Sequence, residues 1–404
     1  MIYKKNKLKI DGIEVEKLAK KFRTPLYCYS YERLEKNINT IKKSFKEFSP
    51  LICFSVKSNS NIKILQEIKK FDIGADVVSI GELMKVLKAG FHPKKIVFSG
   101  VGKTKDEIEY AINKKILLIN TESKNEILLI NKIAKLKKKK VNIGIRLNPD
   151  TDAKTISQIS TGKKENKFGV NEKTFLELVS FVRKSKNLNL KCLSVHIGSQ
   201  ILDNQPYVKM LKIIDKIVKK SNHHFEFIDL GGGMGIDYLH NNSKFDLKKY
   251  SLNIQKFLKK NNSNIIFEPG RSIIGDTAIL VSKIIYIKDG FKKNFVIIDS
   301  AMNDFMRPAL YNAEHKIIPI RKNKTKTKKS YEFVGPICES TDKFSTIKKF
   351  QKLNEDEYIA ICDVGAYGTS LASNYNVRPK PMEILIKGLK IKVINKRQKL
   401  SEIM

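Results

Sequence analysis

The chain has 404 residues, 41% apolar and 29% charged, the balance of an ordinary soluble protein with room for a large α/β domain and a smaller companion. A net charge of +37 raises nucleic acid as a partner, since clustered Lys and Arg neutralise phosphates. The lysines instead recur along the whole chain, dense only at Lys135–Lys140 and Arg321–Lys329, which points to compositional bias and solvated loops rather than a binding patch.

Neither end carries a signal peptide or a transmembrane run, so a cytoplasmic protein with no membrane partner is expected. The five cysteines, Cys28, Cys53, Cys192, Cys338 and Cys362, show neither metal-knuckle spacing nor a disulfide framework, and no metal is expected.

In chain order, a short apolar stretch, Pro25–Tyr29, comes first. Eight apolar, β-branched runs follow: Leu51–Val56, Ile73–Val78, Lys95–Phe98, Ile116–Asn120, Val141–Leu147, Cys192–Ile197, Phe225–Leu230 and Ile265–Phe267. Seven helical segments fit between them, clearest where Val208, Leu211, Ile214, Ile217 and Val218 share one face. Alternating βα units imply parallel strands with right-handed crossovers, and eight such units close into a (β/α)8 barrel. An open doubly wound sheet is the competing reading.

The segment Asp150–Val170 lacks periodicity and is expected to be a functional or lid loop. Beyond residue 273 the strand-like runs Ala278–Ile287, Phe295–Asp299, Tyr331–Val334, Tyr358–Cys362 and Met382–Ile386 follow without long helices, which predicts a second, mainly antiparallel β domain. The expected division is 30–273 for the barrel and 1–29 plus 274–404 for the β domain, with Pro25–Tyr29 pairing into the latter.

Barrel enzymes place their chemistry at the C-terminal ends of the strands. Each of the eight runs ends in polar groups: Lys57, Asp76, Ser99-Gly100, Glu122, Arg146 with Asn148, His196 with Ser199, Gly231-Gly232-Gly233, and Glu268-Pro269-Gly270-Arg271. Lys57 interrupts an apolar run, so partial desolvation would favour the neutral amine that forms an imine. A lysine whose stem packs on apolar surface while its head reaches water fits the same position. A triple glycine after a strand can cradle an anion, and Arg271 adds charge beside it. Glu268 needs a cationic or hydrogen-bonded partner, which either a cofactor or Arg271 could supply. His196 reads equally as a core histidine.

The stretches FSVKSNSN, GADVVSIGEL, INTES, STGKKENKFGV, HIGSQ, GGGMGIDY, EPGRS, MNDFMRPALY, VGPICEST and GAYGTSLASNYNVRP together resemble the diaminopimelate decarboxylase family of fold-type III pyridoxal phosphate (PLP) enzymes, nearly end to end. The resemblance implies a homodimer with shared active sites that decarboxylates meso-diaminopimelate to L-lysine and CO2. It implies that Lys57 holds PLP as a Schiff base and that His196 stacks on its ring, with Ser199 nearby. Asp76, Gly231, Gly232, Gly233, Glu268, Pro269, Gly270, Arg271 and Tyr367 complete the cofactor set, with Glu268 on the pyridine nitrogen. Arg271, Arg307, Tyr311, Glu339 and Tyr367 would bind substrate. Cys338 would be the general acid, supplied with Glu339 to the partner subunit's site; an ordinary thiol, of pKa about 8.5, keeps its proton at neutral pH. Glu339 and Arg307 complement a distal ammonium and carboxylate, whereas ornithine decarboxylases resemble this motif with a shorter aspartate. Another diamino acid or polyamine precursor, such as ornithine, lysine or carboxynorspermidine, is the alternative substrate. Two departures from the family pattern stand out: Ile156-Ser157-Gln158 in place of a His-Pro-Tyr run, and Ala301 in place of a glycine.

Overall fold

The computed structural model describes residues 1–152, 161–162, 165–291, 293–323 and 327–404. The chain divides into two compact units: Ile38–Ile236 with Ser243–Ser272, and Met1–Asn37 with Asp237–Asn242 and Ile273–Met404.

The first unit is a closed barrel of eight parallel strands: Leu51–Ser55, Gly74–Val77, Ile96–Phe98, Leu118–Thr121, Val141–Arg146, Leu188–Ser194, Phe227–Asp229 and Asn264–Phe267. The eighth strand closes on the first through Ile266 opposite Leu51 and Phe267 opposite Ile52. Among the described residues one α-helix lies between each successive pair of strands. Their starts are set locally: Ser79, Thr104, Ser123 and Asn171 each accept a hydrogen bond from a backbone N–H in the following turn. Thr104 and Glu107 form a reciprocal capping box.

Two local expectations shift. The sixth strand starts at Leu188, four residues before the apolar run suggests, because Lys191 turns to the surface and pairs with Glu226 while Leu190 and Cys192 face inward. Along helix Gln205–Ser221 the buried stripe is Tyr207, Met210, Leu211, Ile214, Ile217 and Ser221. Val208 and Val218 only flank it, because the buried face turns through Tyr207, whose ring packs against Tyr250.

In the second unit Leu26–Ser30 pairs antiparallel with Ala278–Lys288 and parallel with Met382–Lys387. Sequence-distant strands thus share one core built on Leu26, Cys28, Ile279, Val281, Ala360 and Ile384. The remaining strands are antiparallel except for Asn294–Ile298 beside Lys328–Val334. The first residues form a three-stranded sheet, Ile2–Lys4, Lys7–Ile10 and Ile13–Glu14. Its two-residue turns, Lys5-Asn6 and Asp11-Gly12, have positive φ at both positions, as tight hairpins require. Among the described residues no helix is long and apolar enough to cross a membrane.

Candidate active site

The first barrel strand ends at Ser55, and a single 3-10 turn, Val56–Ser58, carries Lys57 at the C-terminal mouth of the barrel. The Lys57 Nζ lies 3.7 Å from Asp76 Oδ2, and the lysine side chain is 40% exposed, more open than its apolar sequence neighbours suggest. Asp76 is buried at the second strand and accepts a hydrogen bond from the Ser55 hydroxyl at 2.7 Å. Its Oδ1 is buried without a hydrogen-bond partner among the described residues. The Glu268-Pro269-Gly270 segment seals the same edge: Ser55 N–H donates to the Pro269 carbonyl at 3.1 Å, and a Cβ on Gly270 would lie 2.9 Å from Ser58 Oγ.

Beside Lys57 the barrel holds three buried carboxyls, Asp76, Asp229 and Glu268. Burial, then the negative charges of Asp229 and Asp76, pushes Glu268 far above the usual carboxyl range, with Lys57 opposing. Glu268 and Asp229 are hydrogen-bonded to each other and hold a proton that neither would keep in water. Asp229 collects further donors: Asn120 Nδ2 at 2.8 Å, Ser194 Oγ at 3.1 Å and the Gly231 N–H at 2.9 Å. Glu268 accepts from Ser99 at 3.3 Å. Asp229, Asn120 and Ser194 escaped the sequence reading. The signal was present, since Asp229 and Asn120 are isolated polar residues inside apolar strands, where a buried polar group needs a reason.

His196 follows the sixth strand and is held neutral, because burial and the nearby Lys57 and Arg146 charges depress its basicity. Its Nδ1 accepts from the Gly232 N–H at 3.1 Å, so a neutral ring carries its proton on Nε2. The glycine run is packed against this ring. A Cβ on Gly231 would sit 2.4 Å from His196 Nδ1, and one on Gly232 2.2 Å from the Glu268 carbonyl. The amides of Gly231 and Gly232 are therefore already taken by Asp229 and His196.

Arg271 is buried and donates through Nε and Nη2 to Ser199 Oγ at 3.3 and 3.1 Å, while Glu268 takes Ser99 and Asp229 as partners. Glu122 and Arg146, both polar strand ends, pair with each other at 3.1 Å. Glu122 also accepts from the Gly169 N–H, and Asn148 donates to the Phe168 carbonyl. These three brace Phe168 and Gly169 beside the end of the fifth strand. The Ile156-Ser157-Gln158 departure lies outside the described residues.

The other predicted residues belong to the second unit. Arg307 opens a short helix, Arg307–Tyr311, and is buried. Cys338 and Glu339 are exposed on a loop that Asp342 organises by accepting from the Ile337 and Met302 N–H groups. Glu339 accepts from the Tyr375 hydroxyl and from Thr341. Tyr367 sits at φ 56°, a conformation non-glycine residues rarely hold and one found disproportionately at functional sites. Ala301 is fully buried with no positive φ, so an alanine fits there.

Among the described residues no group of His, Cys, Asp and Glu could hold a metal ion. What the barrel mouth does suit is a small ring compound with an aldehyde for Lys57 and a basic ring nitrogen for the proton-bearing Glu268. A flat face for His196 and an anionic tail for the glycine turn complete the match. The orphaned Asp76 Oδ1 and the glycine positions that exclude a Cβ fit such an occupant, which has the chemistry of pyridoxal phosphate. Fold and site together define a pyridoxal-dependent barrel enzyme.

Known proteins agree. A family model described as the pyridoxal-binding domain of pyridoxal-dependent decarboxylases matches residues 31–275. Diaminopimelate decarboxylase of Helicobacter pylori is 42% identical over 391 residues, 96% of each chain. That of Aquifex aeolicus is 37% identical over 98% of this chain and 94% of its own. Among solved structures, the Helicobacter pylori enzyme complexed with L-lysine aligns with a TM-score of 0.92 at 41% identity, covering 96% of this chain and 98% of that one. The M. jannaschii enzyme in co-complex with L-lysine aligns at 0.94 and 34% identity, covering 100% and 96%. The chain belongs to the diaminopimelate decarboxylase family of pyridoxal-dependent decarboxylases.

Proposed function

We propose that the chain decarboxylates meso-diaminopimelate to L-lysine and CO2 with PLP held on Lys57. The observation that carries this reading is the Lys57–Asp76 pair beside a proton-bearing Glu268, in a chain that matches diaminopimelate decarboxylases along almost its whole length. Bound PLP supplies an electron sink for the pair left behind when CO2 departs.

The chain's own groups do the rest. Lys57 would hold the cofactor's aldehyde carbon, and Asp76, 3.7 Å away, faces that amine as its carboxylate partner. Glu268 would share a proton with the ring nitrogen, which would deepen the sink, and Asp229 would keep that carboxyl oriented. His196, fixed by Gly232, offers an uncharged face for stacking. Because the Gly231, Gly232, Gly235 and Ile236 amides are engaged, the anionic tail would fall to Gly233, with Pro269, Gly270, Arg271, Ser199 and Tyr367 completing the cradle.

Substrate is assigned to Arg271, Arg307, Tyr311 and Tyr367. Glu339 takes the distal ammonium and Arg307 the distal carboxylate. Cys338 and Glu339 serve the partner subunit's site in a cytoplasmic homodimer, where the Cys338 thiol returns one proton to the carbon that lost CO2.

Mass-spectrometric product analysis with diaminopimelate, ornithine and lysine offered side by side tests the reading. L-lysine from diaminopimelate alone is expected; a preference for ornithine rejects it. Borohydride trapping of the cofactor should label Lys57, and labelling elsewhere overturns the anchor.

A further inference from the structure

Arg307 does not stand in its unit as a flexible surface arginine. It is 4% exposed, its guanidinium lies 4.6 Å from the centre of the Tyr238 ring, and its Nη1 is 2.7 Å from Nε2 of His315. His315 is itself 3% exposed, and its Nδ1 lies 2.8 Å from the carbonyl oxygen of Cys362.

The partners dictate the state of this ring. A carbonyl oxygen only accepts, so Nδ1 carries a hydrogen; a guanidinium nitrogen only donates, so Nε2 must offer a lone pair. His315 is thus a neutral imidazole with its proton on Nδ1. A protonated ring would set an N–H against an N–H at Arg307. The ring cannot rotate out of this role, since Tyr238 and Phe305 meet it edge-on, both at 4.7 Å between centroids.

A neutral acceptor does something a carboxylate would not. It fixes one edge of the guanidinium by a charge-assisted hydrogen bond without cancelling its positive charge, and the Tyr238 face holds the plane.

We infer that His315 is a positioning residue for substrate recognition: as an uncharged acceptor locked between Cys362 and Arg307, it aims the Arg307 guanidinium at the distal carboxylate of the substrate. The inference rests on the reading that Arg307 binds that carboxylate.

The test compares two amides that mimic the two ring nitrogens in the PLP-loaded enzyme. His315→Gln reaches Arg307 with an acceptor oxygen, whereas His315→Asn reaches only the Cys362 carbonyl. Two competitive inhibitors are titrated: L-lysine, which keeps the distal carboxylate, and cadaverine, which lacks it. Losing a hydrogen bond to a charged group corresponds to roughly a ten- to hundred-fold effect. His315→Asn should therefore raise the KM for diaminopimelate and the inhibition constant of L-lysine by about that factor, leaving kcat and cadaverine inhibition near wild type. His315→Gln should recover most of the loss. Equal effects of Asn and Gln, or an equal weakening of L-lysine and cadaverine, overturn the inference, because a merely structural histidine would not distinguish them. Arg307→Lys separates the two layers. If it leaves L-lysine inhibition unchanged, the reading of Arg307 itself fails; if it weakens L-lysine while His315→Asn does not, only the role of His315 fails.

Discussion

The Asn120 amide donates to Asp229 Oδ2 at 2.8 Å inside the barrel, joining the fourth strand to the seventh directly beneath the proton-bearing Glu268. The opposite face of Asn120 is fitted just as closely, since a Cβ on Gly144 would lie 2.1 Å from Asn120 Oδ1. Asn120→Ala removes a donor from a buried carboxyl and should cost about 1–3 kcal/mol. Gly144→Ala should cost a similar amount by driving Asn120 off Asp229. Urea unfolding of the cofactor-free protein measures both. A change below about 0.5 kcal/mol in each would mean that the network adds nothing to the fold.

Buried carboxyls give the cofactor-free protein a defined pH response. Glu268 is raised by burial and by Asp229 and Asp76, and burial raises Asp304 to about 7. Both bind a proton in the folded chain that they release in the unfolded one. Their stabilisation is complete below the ordinary carboxyl range of about 4 and is lost as pH rises, through about 7 for Asp304 and from about 4 upward for Glu268. Asp304→Asn should flatten the fall of Tm up to about pH 7, and Glu268→Gln should flatten it from about pH 4 upward. Unchanged slopes in both variants would contradict the assignment.

Gly231→Ala should damage cofactor binding more than the fold. The added Cβ meets His196 Nδ1 at 2.4 Å, and the residue sits at φ 64°, where alanine is strained. We expect PLP affinity, read by fluorescence quenching, to fall at least about tenfold, with a stability loss of about 1–3 kcal/mol. Wild-type affinity would show that His196 need not hold its place.

A Cys338 that serves the partner subunit's site, as proposed, makes complementation quantitative. Lys57→Ala and Cys338→Ala proteins mixed in equal amounts and allowed to exchange form heterodimers for about half the population, each with one intact site, so about a quarter of wild-type activity should return. No recovery, with exchange verified by native mass spectrometry, would place Cys338 in its own subunit's site or outside the chemistry.

The sequence by itself determined the barrel and its chemical mouth. Eight apolar runs fall at or near the eight strands, because strands buried on both faces leave a continuous apolar signal, and Lys57, Asp76, His196 and Glu268 mark their ends. Only the tertiary structure decided what those groups do to one another. Glu268 was legible as a carboxyl in need of a partner, but not that Asp229 would share its proton, since the two lie on different strands and meet only when the barrel closes. The triple glycine was legible as an anion turn, yet two of its amides are spent on Asp229 and His196. Arg307 was legible through its motif, whereas the neutral state of His315 follows from a carbonyl 47 residues further along the chain. Local patterns record burial and backbone freedom; protonation and hydrogen-bond direction depend on partners that long-range packing brings into place.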